Sequence, residues 1–173
     1  RDRLCLVQLS SGDGNAHLIQ LGNDFGYKAK NLKALMKNKK IIKIFHYARF
    51  DLGVIKKYLG IMPSNIYCTK IASKIARTYS DKHGLRELCR ELLGIEISKQ
   101  QQSSYWGAKN LSKNQLKYAA NDVLHLHQIK DELEIILEKE KRSHLINKTL
   151  NFLPYRVQLD LLGWENIDIF SHS

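Results

Sequence analysis

The sequence predicts an α/β fold with an antiparallel start and an all-helical tail. Three observations lead there. Two strand-like runs near the start are joined by a glycine-containing turn. The next two strand-like runs alternate with helical ones. After them, every periodic run is helical.

In chain order, LCLVQLS (4–10) is apolar and strand-like, SGDG (11–14) is a turn cluster, and NAHLIQL (15–21) is a second strand-like run, together a hairpin. NLKALMKNKK (31–40) has helical spacing, and IIKIFH (41–46), β-branched and mostly apolar, reads as a buried strand. FDLGVIKKYLG (50–60) is a helix that Gly60 would cap. NIYCT (65–69) is a short strand leading into the helix KIASKIARTYS (70–80). HGLRELCRELLG (83–94) is a helix with Leu85, Leu88, Leu92 and Leu93 inward, again stopped by a glycine. SKQQQSSYWGAKN (98–110) is polar and loop-like. Ser112 then N-caps a helix containing NQLKYAANDVLHLHQIKDEL (114–133), in which Leu116, Ala119, Ala120, Val123, Leu124, Leu126 and Ile129 recur at helical spacing. A second long helix spans about 142–162, and GWENIDIFSHS closes the chain.

A length of 173 residues fits one domain, 1–173, and the apolar and charged fractions, 43% and 26%, are those of a globular protein. No apolar run is long enough to span a bilayer, and the start is not that of a secretory signal. Lys and Arg number 28 against 17 Asp and Glu, a formal charge of +11, which favours a polyanionic partner such as nucleic acid. Cys5, Cys68 and Cys89 are odd in number and far apart, with no Cys-x-x-Cys. They read as reduced thiols in a cytoplasmic protein, and not as a zinc site.

Two local patterns can carry chemistry. In FHYARFDLGVI (45–55) a strand ends and Asp51 opens a helix, where a carboxylate can hold a metal at the rim of a sheet or simply complement the helix dipole. In the later helix Tyr118 and Asp122 are one turn apart and share a face. The bland account is a tyrosine packed on the core and an aspartate paired with a lysine. His125 and His127, two apart on a helix, face different ways and do not form a metal pair.

With these neighbours and in this order, the sequence resembles the ribonuclease D-like 3′–5′ exonucleases, the DEDD group with a tyrosine in its third motif, in their short single-domain bacterial branch. The carriers are RDRLCLVQLS (1–10), FHYARFDL (45–52), HGLRELCRELLG (83–94), QQSSYWGAKNLSKNQLKYAANDVLHL (101–126) and GWENIDIF (163–170). The resemblance implies a ribonuclease H-like mixed sheet flanked by helices, with a helical C-terminal part. It also implies two Mg²⁺ or Mn²⁺ ions held by four carboxylates, which together hydrolyse a phosphodiester. Asp51 matches the second-motif carboxylate and Asp122 the third-motif one; both are implied metal ligands. Tyr118 matches the tyrosine that orients the attacking water, since a phenol is a poor base at neutral pH.

The family's first motif, Asp-x-Glu, belongs on a strand just before a stretch like RDRLCLVQLS, and no Asp-x-Glu elsewhere in the sequence replaces it. The expectation is therefore an N-terminally incomplete domain lacking its first strand. The second motif usually has Asn where Tyr47 stands, and Tyr105 stands where Asp often precedes Trp106. Gln8, His46, Phe50, Tyr105, Trp106 and the basic surface are the candidates for gripping single-stranded 3′ ends, RNA before DNA, although Phe50 and Trp106 are equally plausible core residues. The expected activity is a metal-dependent 3′–5′ exonuclease. The rivals are a nucleic-acid-binding remnant of the same fold and a purely structural domain.

Overall fold

The computed structural model describes residues 3–21, 28–98 and 100–172; Arg1 and Asp2 of the first quoted stretch and Lys99 of the polar loop lie outside them. Its strands form two separate two-stranded half-sheets, one antiparallel and one parallel, with a seam between them. β1 (Leu6–Leu9) and β2 (His17–Gln20) pair antiparallel with Val7 opposite Ile19. β3 (Lys43–Phe45) and β4 (Ile66–Cys68) pair in parallel with Ile44 opposite Tyr67. Among the described residues β1 has no partner but β2, and β3 none but β4.

The helices are α1 (Lys30–Lys37), α2 (Ala48–Leu59), α3 (Thr69–Ala76), α4 (Leu85–Leu93), α5 (Lys113–Leu124), α6 (Leu126–Lys139) and α7 (Ser143–Leu159). α2 is the crossover between the parallel strands β3 and β4, as a parallel pair requires. Local chemistry sets several ends. Gly60 and Gly94 terminate α2 and α4 in the left-handed region, with φ of 71° and 69°. Ser112 caps α5 in a full capping box: its hydroxyl accepts from the Gln115 amide N–H, and the Gln115 side chain accepts from the Ser112 N–H.

Several boundaries differ from the sequence reading. The helix over 114–133 is two helices, α5 and α6, joined through a turn at His125, whose backbone (φ −102°, ψ −1°) departs from ideal α-helical values. The helix from about 142 ends at Leu159 and widens into a π turn, Asp160–Trp164, that Gly163 closes with φ of 108°. The helix over 70–80 stops at Ala76, where the fully buried Arg77 turns inward. It pairs with Glu91 on α4 and donates to the Lys82 carbonyl. Finally, α2 starts two residues early, at Ala48.

Two apolar cores result. The larger joins α2, α3, α4, α6 and α7 through Leu52, Ala72, Leu88, Ile129, Leu133, Leu150 and Val157. The smaller packs α1 and the far end of α2 against β1 through Leu32, Met36, Val7, Val54, Ile55 and Leu59. Each fully buried aliphatic side chain adds roughly 1.5–3 kcal/mol, so both ends of α2 are held fast. No helix among the described residues is long and apolar enough to cross a membrane.

Candidate active site

The seam between the half-sheets is a groove of about 1070 Å³. All of β1 lines one side and all of β3 the other, with Asp51, Val54 and Ile55 of α2 and Tyr118, Asp122 and Val123 of α5 on its walls. Consecutive residues of both strands face it, so it is bounded by strand edges and not by one face of a finished sheet.

Asp51 sits in the first turn of α2, directly after β3 and the turn at His46–Tyr47. Asp122 comes from the last turn of α5. The two carboxylates, 71 positions apart in the sequence, meet closely enough for their charges to interact. Burial pushes the Asp51 carboxyl up to about 7, and the charge of Asp122 adds to this against the opposing pull of its own backbone N–H. Burial alone lifts Asp122 to about 6. Among the described residues neither has an ion-pair partner. Two half-buried carboxylates sharing a site without a cation repel one another. Oxygen donors of this kind suit a hard divalent ion, which would neutralise them. Two are fewer than such an ion's coordination shell, and among the described residues no cluster of three or more His, Cys, Asp or Glu side chains gathers.

Tyr118 lies one turn before Asp122 on the same face. Burial, then the Asp122 charge, raises its phenol above the ordinary value, so it is protonated at neutral pH. The Trp106 ring packs against it, with centroids 5.9 Å apart and planes tilted by 42°. Cys89 of α4 faces the same carboxylate; burial and the Asp122 charge push its thiol up to about 11, leaving it inert.

His46 ends β3 and is half-buried. Its Nδ1 lies 2.9 Å from the Thr69 hydroxyl, and that hydroxyl donates to the Phe45 carbonyl at 3.2 Å. With the hydroxyl proton committed, Nδ1–H is the donor, which leaves Nε2 as an acceptor. Burial, then the nearby Lys70 charge, lowers the ring to about 4, so it is neutral near pH 7.

Gln8, on β1, also lines the groove, as do His46, Phe50 and Trp106. Of the eight residues singled out by the sequence reading, seven therefore border one space; Tyr105 does not line it and stands exposed beside Trp106. Phe50 is 44% exposed and Trp106 half-buried, so neither is a closed-core residue. His127 also lines the groove and packs its ring beside Gly12, whereas His125 does not line it. Sequence reasoning passed over Thr69, which is buried against His46, and Lys70, which lines the groove with Tyr47. The departure at Tyr47 from the motif was the one signal available.

A family model described as 3′-5′ exonuclease matches residues 1–138. The ribonuclease D of Bartonella henselae is 33% identical over 151 residues, covering 87% of this chain and 36% of that protein. Among solved structures, Brucella melitensis NrnC bound to pGG is 53% identical with a TM-score of 0.94, covering 99% of this chain and 82% of that one. The same protein with bound Mg²⁺ aligns at 51% identity and a TM-score of 0.93, covering 99% and 83%. The chain spans only 36% and 43% of the lengths of two curated ribonuclease D proteins that it matches.

Proposed function

The chain belongs to the 3′-5′ exonuclease family, with its ribonuclease H-like fold, and from that premise we propose that residues 1–173 are the catalytic domain of a metal-dependent nuclease removing nucleotides from the 3′ ends of single-stranded RNA, with DNA as the second substrate. The observation that carries this reading is the meeting of Asp51 and Asp122, unneutralised and beside Tyr118, in one groove.

Asp51 and Asp122 are the residues that would hold Mg²⁺ or Mn²⁺. Such an ion, two in a complete site, supplies charge neutralisation and a more acidic water. That NrnC has been solved with Mg²⁺ supports this choice. The remaining residues have roles their chemistry allows. Protonated Tyr118 holds a water by hydrogen bonding without taking its proton, and Trp106 fixes the phenol's direction. His46, neutral and oriented by Thr69, accepts a hydrogen bond from a sugar hydroxyl through Nε2. Gln8, Phe50 and the basic surface hold the strand. The pGG complex of NrnC supports very short oligonucleotides as substrates.

The groove also supports the expectation of a further strand. We propose that a strand bearing Asp-x-Glu pairs with β1 and β3 in the seam and brings the carboxylates that two ions require. The competing reading, a nucleic-acid-binding remnant, is favoured by the lack of a third ligand among the described residues. The test is digestion of a 5′-labelled single-stranded oligoribonucleotide with Mn²⁺ by this chain, by a chain extended upstream, and by the extended chain with Asp122→Asn. A 3′ ladder from the extended chain that Asp122→Asn abolishes is expected. An undiminished ladder from the variant overturns the site. Binding without a ladder from any form selects the remnant.

A further inference from the structure

Tyr47 has backbone angles of φ 67° and ψ 44°, in the left-handed region. Glycine and, less often, asparagine adopt this region without much cost; a bulky aromatic does not. Such strain persists where the surrounding structure holds it, and it clusters at ligand sites. Here it turns the side chain outward, 48% exposed, at the lip of the groove. The Tyr47 ring stacks on Phe50 with centroids 6.4 Å apart and planes only 11° from parallel. The Lys70 ammonium stands 4.4 Å from the centre of the Tyr47 ring. Both aromatics also line a small cleft of about 160 Å³ on the other side, with Arg49, Glu165 and Asn166. The pair thus borders two hollows, Tyr47 as the N-cap of α2 one turn before Asp51 and Phe50 immediately before it.

We propose that Tyr47, Phe50 and Lys70 form a nucleotide-binding ledge: a base flanking the scissile phosphate continues the Tyr47–Phe50 stack, and Lys70 meets the phosphate beside it. This rests on the nucleic-acid reading above and adds Tyr47 and Lys70 as residues that set its affinity. Aromatic stacking is indifferent to base identity, since every base has a π-face. The ledge therefore selects an unstacked, single-stranded terminus and not a sequence. A paired terminus cannot offer its base face to the ledge without first unstacking.

The test is equilibrium binding of a 5′-labelled single-stranded oligonucleotide by fluorescence anisotropy in EDTA, which needs no cleavage. Tyr47→Ala weakens binding roughly 5- to 150-fold, the value of one stacked base, and Tyr47→Phe leaves it near the parent. Removing the base from one of the two 3′-terminal nucleotides costs the parent a similar factor and costs Tyr47→Ala nothing further. Lys70→Gln weakens intact and abasic strands alike and flattens the salt dependence. Tyr47→Gly, freed of strain, melts no lower than the parent yet binds as weakly as Tyr47→Ala. Equal losses by Tyr47→Ala on intact and abasic strands, at both positions, overturn the ledge while the nucleic-acid reading stands. No binding of any strand by the parent overturns both.

Discussion

Asp160 and the Asp51–Asp122 pair are buried carboxylates treated in opposite ways. Asp160, with a fully buried side chain, accepts from Arg49 at 2.6 and 2.7 Å and forms an ion pair with Arg156 at 3.0 Å. The same guanidiniums donate to the carbonyls of Trp164, Glu165 and Ile167, so one carboxylate ties the C-terminal turn to the start of α2. Asp51 and Asp122 have neighbouring carboxylate charge in place of a guanidinium, and their pKa values rise. Where the chain needs an anchor it supplies the counter-charge itself. At the groove the described residues supply no counter-charge, at a cost in stability.

Removing the anchor gives the largest effect. Asp160→Ala leaves two guanidiniums around an empty position and should destabilise by about 3 kcal/mol in urea unfolding; a loss below about 0.5 kcal/mol would show that the two regions do not differ as described. Asp51→Asn should do the reverse. The folded pKa values of the pair lie above those of the unfolded chain, so its cost is absent below about pH 4 and greatest above pH 7. In EDTA at about pH 8, Asp51→Asn should be more stable than the parent by on the order of 2 kcal/mol, with the gain vanishing toward pH 4. A variant less stable than the parent at both pH values would contradict this.

His46 sharpens the comparison from the other side of the scale. Its folded pKa, about 4, lies below the unfolded value of 6.5, so neutral His46 costs nothing above that value and must be charged as pH falls. The parent should lose about 2 kcal/mol by pH 5 that His46→Gln does not; parallel pH profiles for the two would rule this out. The smallest stability change belongs to Tyr118→Phe, which should leave unfolding within about 0.5 kcal/mol yet slow cleavage by the upstream-extended chain on the order of 100-fold. An unchanged rate would remove the water-orienting role.

What the sequence made legible was local. Ser112 and Gln115, Gly60 and Gly94 act through neighbours three or four residues away, and their caps stand where their chemistry puts them. The spacing of Tyr118 and Asp122 is likewise a helix property, and the motif around Asp51 is contiguous. The rest depends on distant partners. Arg156 and Asp160 are four apart and readable as a pair, but Arg49 lies 111 positions from Asp160, and no spacing rule joins them. The break at His125 interrupts an apolar pattern that runs on through Leu124 and Leu126, so periodicity could not reveal it. The left-handed Tyr47 was hidden because propensity argues against that conformation, although the asparagine usual at this place in the motif is a residue that tolerates it.

The central claim is that the Asp51–Asp122 pair is kept without a counter-charge so that a divalent cation can provide it. The most direct measurement is the thermal midpoint of the upstream-extended chain at about pH 8, with EDTA and then with excess Mn²⁺, beside its Asp51→Asn and Asp122→Asn variants. A cation bound by the folded state at a hundred times its dissociation constant adds about 2.7 kcal/mol. The account predicts a rise in midpoint for the parent and little or none for either variant. An equal rise in all three would place the cation elsewhere and contradict it.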